Sequence, residues 1–162
     1  MTVTAGSPNE PVPQFADGDS IVLDTSTIIA YLNAGEAVSA NARAVIEGNV
    51  QSERNPAWIS SVTVAEVLVR PLREANRVPL DTVKTFLLEF PGLSIRSADF
   101  LVAAEAAAIR AHTGVAMPDA LIAATATLTS SRWLVTNDRT LKDRLASLEW
   151  ETTVVLLSEL DA

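Results

Sequence analysis

Short apolar runs alternate with longer segments of helical periodicity along most of this chain, and this alternation restricts its fold more than any other feature. The runs are brief and apolar at consecutive positions, as the strands of a buried parallel sheet are. Strands are predicted at 21–23, 58–59, 93–95, 133–135 and 153–156, and helices at 25–33, 37–48, 61–75, 81–90, 97–112, 118–130 and 139–147. The pattern predicts an α/β fold, a small parallel sheet with helices on both faces.

The ends of several predicted helices carry the residues that helix ends prefer. Ser60 or Ser61, Asp81 and Ser97 are predicted N-caps, because their side-chain oxygens accept backbone N–H groups. Gly114 is predicted to end one helix and Pro118 to begin the next.

The length of 162 residues suits one domain. Residues 1–20 are rich in turn-forming residues and are predicted as a flexible N-terminal leader, with the domain at 21–162. The N-terminus lacks the basic start and the continuous apolar segment of an export signal. No apolar run reaches the roughly 18 residues that a membrane-spanning helix needs. The absence of cysteine fits a reducing compartment. We therefore expect a soluble cytoplasmic protein with no membrane partner.

Four acidic residues lie at or near the points where predicted strands give way to helices. Asp24 directly follows the first strand, and Asp138 follows the fourth after two polar residues. Glu66 lies on the apolar stripe of the helix after the second strand, and Asp119 lies in the first turn of the 118–130 helix. Because ligands of open α/β sheets bind outside the carboxyl ends of the strands, we expect the four carboxylates to converge there.

Each acid also has an explanation that involves no site. Asp24 and Asp138 are each placed to cap the helix that follows. Asp119 is placed to favour the dipole of its helix, and Glu66 to extend to solvent or to pair with Arg70 one turn later. These alternatives stay open at the level of sequence, but they do not explain why four acids gather at one edge.

Crowded carboxylates repel one another unless a cation holds them, so the cluster indicates a metal site. Oxygen-only ligation, with no cysteine and one histidine, favours Mg²⁺ or Mn²⁺. Such an ion activates water and stabilises charge on a phosphate, so the chemistry indicated is phosphodiester hydrolysis. His112 ends an Ala-rich helix, where an imidazolium complements the dipole, and is predicted to be structural. Polar residues beside the acids are predicted to orient the carboxylates: Thr25, Ser26, Thr136 and Asn137.

Four stretches, IVLDTSTIIAYL, SSVTVAEVLVRP, MPDALIAATA and VTNDRTL, resemble in order and spacing the characteristic blocks of PIN-domain ribonucleases, and most closely the VapC toxins of bacterial type II toxin–antitoxin systems. The resemblance extends from residue 21 to the C-terminus. It implies a PIN-like α/β/α sandwich and an Mg²⁺- or Mn²⁺-dependent endoribonuclease. It also implies a homodimer and a small cognate antitoxin that covers the site.

By position, the resemblance assigns the catalytic, metal-binding quartet to Asp24, Glu66, Asp119 and Asp138. Thr136 and Asn137 match the supporting loop, and Ser26 the small polar residue near the metal. The expected products of hydrolysis carry a 5′-phosphate and a free 3′-hydroxyl.

A net charge of −8 and a pI of about 4.6 are the opposite of the basic footprint typical of nucleic-acid binders. Cations bound at the acids would offset part of that charge. Arg70 and Arg73, shortly after Glu66, and Arg139, directly after Asp138, are predicted to contact RNA phosphates. The alternative for each is a solvated helix face. Other basic residues near these positions are Arg77, Arg132, Lys142 and Arg144.

Two other classes of protein also gather acids in this way. In a non-catalytic metal-binding interaction module, the acids would hold a structural ion and a partner protein would be the whole function. Tight metal binding without cleavage of RNA would favour that alternative. A phosphoacceptor module of the response-regulator type expects an acidic pair before the phosphoacceptor strand and a lysine after a late strand, and the sequence has neither.

Overall fold

The strands of the computed structural model form one parallel sheet. The structure describes residues 14–35, 37–75 and 77–160, without the side chains of residues 77 and 78. The strands are β1 (Ile21–Leu23), β2 (Ala57–Ser60), β3 (Leu93–Arg96), β4 (Trp133–Thr136) and β5 (Thr153–Leu156). Their order in the sheet is β3-β2-β1-β4-β5, and every neighbouring pair is parallel. The predicted α/β class is confirmed.

The described residues contain seven α-helices, which follow the predicted pattern except in one region. They are α1 (Thr25–Leu32), α2 (Ser39–Arg43), α3 (Ser61–Arg73), α4 (Arg77–Glu89), α5 (Phe100–Thr113), α6 (Met117–Leu128) and α7 (Arg139–Leu145). The helix predicted at 37–48 is instead α2 followed by a π-helical segment, Ala44–Gln51. Gly48 and Asn49, which are poor helix formers, lie in that wider segment.

Two of the predicted caps are wrong, and the reason is local. Asp81 lies inside α4, which begins four residues earlier than it. Asp99, and not Ser97, caps α5, because its side chain accepts a backbone N–H of the first turn. Ser60 caps α3, and Gly114 ends α5 with φ of 72°, as the sequence predicts.

Alternate side chains of the central strand enter two cores on opposite faces of the sheet. Ile21 and Leu23 pack into one core with residues of α1, α3 and α4, and Val22 packs into the other with residues of α5, α6 and α7. The predicted placement of helices on both faces is confirmed.

The expected leader is only partly described. Its first thirteen residues lie outside the described residues. Phe15 is 2% exposed, and its ring lies 5.1 Å from that of Trp133. The side chain of the buried Asn55 donates to the carbonyls of Ala16 and Asp19. Residues 14–20 therefore pack against the domain.

The sheet order determines where a site can form. The chain builds β2 and β3 on one side of β1 and then places β4 and β5 on the other side. Such a switch point opens a crevice at the carboxyl ends of the two central strands, here β1 and β4. Asp24 and Asp138 follow these two strands.

In the described residues, no single helix is long and apolar enough to cross a membrane. The helices α5 and α6, which are separated by a bend of 117°, are together long and apolar enough, by length and composition only.

Candidate active site

Asp24 is almost fully buried, with 4% of its surface exposed. It occupies the N-cap position of α1, yet its side chain makes no capping bond to the described first turn. Instead, Ser26 Oγ and Thr136 Oγ1 donate to Asp24 Oδ2 at 2.6 and 2.7 Å. Because a buried carboxylate is costly without such donors, the two hydroxyls fix its orientation. The explanation of Asp24 as a side-chain helix cap is therefore wrong.

The loop after β4 is joined to the start of α1 by a hydroxyl network. Thr136 Oγ1 accepts the backbone N–H of Asp138 at 3.0 Å while it donates to Asp24. Ser26 Oγ accepts the backbone N–H of Asn137 at 2.8 Å. Ser26 and Thr136 therefore link the two acids that follow β1 and β4, and Asn137 takes part through its backbone.

Asp138 has an exposed side chain and caps α7, because its Oδ1 accepts the backbone N–H of Leu141 at 3.2 Å. The capping role left open by the sequence is therefore real. It engages one of the two carboxylate oxygens, so the cap and a place in the site are compatible.

Glu66 is exposed on α3, and its Oε2 accepts a hydrogen bond from Thr25 Oγ1. The same hydroxyl lies 3.1 Å from that of Thr63, a residue that sequence reasoning missed. Thr63 precedes Glu66 by three positions on one helix face, and this spacing was the available signal. Arg70 pairs with Glu74 at 2.8 Å and not with Glu66, whereas the exposure of Glu66 agrees with the alternative in which its side chain extends to solvent.

Asp119 is half-buried in the first turn of α6. The pKa of Asp119 is raised from 3.8 to about 6, first by burial and then by the negative charges of Asp24, Asp138 and Glu66, against an opposing effect of Arg144. The three other predicted acids thus all act on Asp119, which shows that the four lie in one electrostatic neighbourhood.

The four carboxylates do not yet form a finished ligand set. Within the described part of the chain, no three Asp, Glu or His side chains are arranged to hold a metal ion. Glu66 and Asp138 are exposed, so rotation of their side chains is the movement that would bring carboxylate oxygens towards Asp24 and Asp119. The chemistry of the donors, all of them oxygen, fits a hard divalent cation such as Mg²⁺ or Mn²⁺.

The predicted RNA contacts are distributed unevenly around the acids. Arg139, the first residue of α7, is exposed directly beside Asp138. Arg70 and Glu66 both line a cavity of about 320 Å³ between α1, α3 and α4. Arg73 is exposed at the end of α3 and does not line that cavity.

Other cavities differ in their relation to the acids. One of about 410 Å³ is lined by Asp119 and Asp138 together with Arg110 and Arg144. A larger one, of about 730 Å³, lies at the amino ends of β4 and β5 and contains none of the four acids. The larger of these two cavities is therefore separate from the predicted acids.

His112 lies in the last turn of α5, and its Nε2 is 3.3 Å from the carbonyl oxygen of Ser147. That position at the helix end is the structural one predicted for it.

Comparison with known proteins gives one family. The sequence pattern described as the PIN domain matches residues 21–145. No curated protein sequence matches the chain significantly.

Several solved structures share the fold. FitAcB from Neisseria gonorrhoeae is similar with a TM-score of 0.67 and 23% identity, over 86% of this chain and 99% of that one. DNA-bound VapBC from Salmonella typhimurium has a TM-score of 0.65 and 22% identity, over 85% and 98% of the two chains. VapC20 from Mycobacterium tuberculosis, a sarcin–ricin loop cleaving toxin, has a TM-score of 0.61 and 17% identity, over 82% and 98%. At these identities the likeness is one of fold.

Proposed function

This chain belongs to the PIN-domain family, and from that premise we propose that it is a divalent-metal-dependent endoribonuclease, the toxin of a toxin–antitoxin pair. The observation that carries the proposal is the hydroxyl network in which Ser26 and Thr136 join Asp24 to the loop of Asp138. The carboxylates of Asp24, Asp138 and Glu66 also raise the pKa of Asp119, after the larger effect of burial. Mutual repulsion of this kind is what a bound cation relieves.

Asp24, Glu66 and Asp119 would hold the principal Mg²⁺ or Mn²⁺, and Asp138 would complete the site directly, through water or at a second ion. When bound, the metal supplies an activated water and stabilises the charge that develops on the phosphate. Ser26 and Thr136 keep the buried Asp24 carboxylate in one orientation, and Thr25 donates a hydrogen bond to one oxygen of Glu66.

The proposed reaction is hydrolysis of an RNA phosphodiester. Oxygen from water joins phosphorus, the bond from phosphorus to the 3′-oxygen breaks, and the products carry a 5′-phosphate and a 3′-hydroxyl. Arg139 is beside the acids and is the best placed of the predicted RNA contacts, whereas Arg70 is occupied by Glu74. Arg73 is the farthest along α3 and is proposed to contact RNA only outside the cleavage point. An RNA substrate would place the protein in the cytoplasm.

A small antitoxin is proposed to cover the site. The cavity that includes Glu66 supplies an adjoining apolar surface, formed in part by Ile29, Leu32 and Val83. Similar solved structures include a toxin–antitoxin complex from Klebsiella pneumoniae, with 22% identity and a TM-score of 0.56. An antitoxin segment in that cavity would reach Glu66.

A homodimer is also proposed. Exposed apolar side chains on α3 and α5 supply surface for a second copy, because large apolar groups left in water favour association. They include Val69, Leu72, Phe100 and Leu101.

The test is cleavage of total cellular RNA by the purified chain with Mn²⁺ or Mg²⁺ and with chelator, followed by sequencing of the mapped ends. Wild type is compared with Asp24→Asn and with Asp17→Asn, a control that changes an exposed acid paired with Arg54. We expect discrete, metal-dependent cuts with 5′-phosphates from wild type and the control, and none from Asp24→Asn.

Two other results would contradict the proposal. Cyclic phosphate ends would mean attack by the 2′-hydroxyl of the RNA. Metal binding with no cleavage of any RNA would favour the non-catalytic interaction module.

A further inference from the structure

Two arginines from different helices hold the short connection that leads into the first turn of α6. Arg144 Nη1, on α7, donates to the carbonyl of Gly114 at 2.8 Å. Arg110 Nη1, in the last turn of α5, donates to the carbonyl of Val115 at 2.9 Å. Both arginines line the cavity of about 410 Å³ that also contains Asp119 and Asp138.

Several other cations of the described chain are paired with carboxylates. Arg70 is neutralised by Glu74, Arg96 by Asp99 and Lys142 by Glu159. Arg110 and Arg144 form no ion pair within the part of the chain that the structure describes, and both are exposed. Their guanidinium groups therefore keep their full charge at the edge of the acidic cluster.

The remaining donors of these groups are available to a ligand. A guanidinium has five N–H donors in a planar fork, and one bond to a carbonyl uses one of them. The carbonyl bond fixes the side chain in place, so little rotamer freedom is lost when a second acceptor binds. The fork geometry matches the oxygens of a phosphate.

The charge of the cavity points to the ligand. Two carboxylates and two guanidinium groups line it, so the wall is close to neutral in a chain of net charge −8. A cation shared by the four acids would neutralise Asp119 and Asp138, and the arginines would then leave the wall positive. A positive wall beside a cleavage site suits the backbone of a polyanion.

Resting on the proposed function, we infer that Arg110 and Arg144 form a binding subsite for an RNA backbone phosphate next to the one that is cleaved. The subsite takes phosphate and not bases, so it supports RNA of any sequence. Its cavity contains Asp119 and Asp138 and shares no lining residue with the Glu66 cavity.

The test measures binding of a fluorescein-labelled single-stranded RNA of randomised sequence by anisotropy, with Ca²⁺ in place of Mg²⁺ or Mn²⁺ so that the acids are neutralised, over a range of salt concentrations. The variants are Arg144→Gln, Arg110→Gln, the charge-preserving Arg144→Lys, and Arg132→Gln. Arg132 is the matched control, because its Nη1 also donates to a backbone carbonyl, that of Glu151, but at the opposite end of the sheet.

Each lost phosphate contact lowers the slope of log affinity against log salt by about 0.7 for single strands. We expect that decrease for Arg144→Gln and for Arg110→Gln. Arg144→Lys and Arg132→Gln should keep the wild-type slope. A purely structural role would change the melting temperature of the Gln variants and leave the slope unchanged.

The same wild-type sample is also tested for RNA cleavage with Mn²⁺. This measurement distinguishes an error in the proposed subsite from an error in the proposed function. If wild type cleaves RNA and the Gln variants keep its salt slope, the subsite is wrong and the ribonuclease stands. If the Gln variants keep that slope but bind an antitoxin less tightly, the arginines serve a protein partner and the inference is likewise overturned. If wild type neither binds nor cleaves RNA, the proposed function fails, and the subsite fails with it.

Discussion

The Thr136 hydroxyl donates a 2.7 Å hydrogen bond to the carboxylate of Asp24, 112 positions away in the sequence. The two residues stand at the carboxyl ends of neighbouring parallel strands, in the crevice where the sheet order reverses. This bond lies inside the fold and also beside the proposed metal, so it couples the stability of the domain to the geometry of its site.

Replacement of Thr136 by valine should reduce both stability and metal affinity. The change keeps the shape of the side chain but removes a donor to a buried carboxylate, which costs about 1–3 kcal/mol of unfolding free energy. Loss of a group that orients a ligand lowers metal affinity about 10- to 100-fold. Denaturant unfolding and calorimetric titration with Mn²⁺ measure the two effects.

The control for that substitution is Thr152→Val, because Thr152 is also buried and donates to the carbonyl of Ser131, at the other end of the sheet. It should lose stability and keep metal affinity. If both variants bind Mn²⁺ with equal affinity, Thr136 does not contribute to metal binding.

Asp119→Asn should stabilise the metal-free protein at neutral pH. Because the pKa of Asp119 is raised from 3.8 to about 6, the folded state holds a proton that the unfolded chain has already lost between these values. Wild-type stability from this group is therefore present at low pH and declines as pH rises to about 6. The asparagine variant lacks that decline, so its advantage should grow by about 1 kcal/mol from pH 4 to pH 7, after allowance for solvent screening of this half-buried group.

Unfolding of wild type and Asp119→Asn in chelator, at a series of pH values, measures that difference, and titrating groups that do not interact with Asp119 cancel in the comparison. If the difference in unfolding free energy stays constant from pH 4 to pH 7, the pKa of Asp119 is not raised in the folded protein.

Phe15→Ala should destabilise the domain although Phe15 lies within the expected leader. The ring is 2% exposed and contacts Trp133, so its loss should cost about 3 kcal/mol. Leu88→Ala is the control, because Leu88 is 72% exposed and its removal should cost less than about 0.5 kcal/mol. Similar midpoints of urea unfolding for the two variants would show that residues 14–20 contribute nothing to the fold.

Gly92→Ala should be more damaging than Gly18→Ala, although both glycines have positive φ. A Cβ at Gly92 would lie 2.3 Å from the carbonyl oxygen of Val50, whereas one at Gly18 meets nothing within 4 Å. Gly18→Ala should therefore cost about 1 kcal/mol from backbone strain alone, and Gly92→Ala distinctly more. Thermal unfolding compares them, and equal melting temperatures would contradict the clash.

The sequence predicted the strands well because they depend on short-range patterns. Consecutive apolar residues define each buried strand, and an acid that follows such a strand, as Asp24 does, must lie at the edge of the sheet. Helix boundaries were less certain, because a cap depends on which of several nearby oxygens reaches a free N–H. Asp99 does so, and Ser97, two residues earlier, does not.

Contacts between distant elements were beyond sequence reasoning. Nothing in the local pattern joins Thr25 to Thr63, or places Arg110 and Arg144 on one cavity. These contacts form only when the helices pack against one another. In the sequence alone, each of these side chains is an ordinary polar residue on a helix. For the same reason Arg70, which follows Glu66 by one turn, was predicted as an RNA contact, and its pairing with Glu74 was not foreseen.

The most direct measurement of the central claim is calorimetric titration of Mn²⁺ into wild type, Asp24→Asn, Asp119→Asn and Asp17→Asn at neutral pH. If Asp24 and Asp119 belong to one metal site, both of their variants should bind Mn²⁺ at least about tenfold more weakly than wild type, and Asp17→Asn should bind as wild type does. Equal Mn²⁺ affinity in all four proteins would contradict the claim that these carboxylates form a metal site.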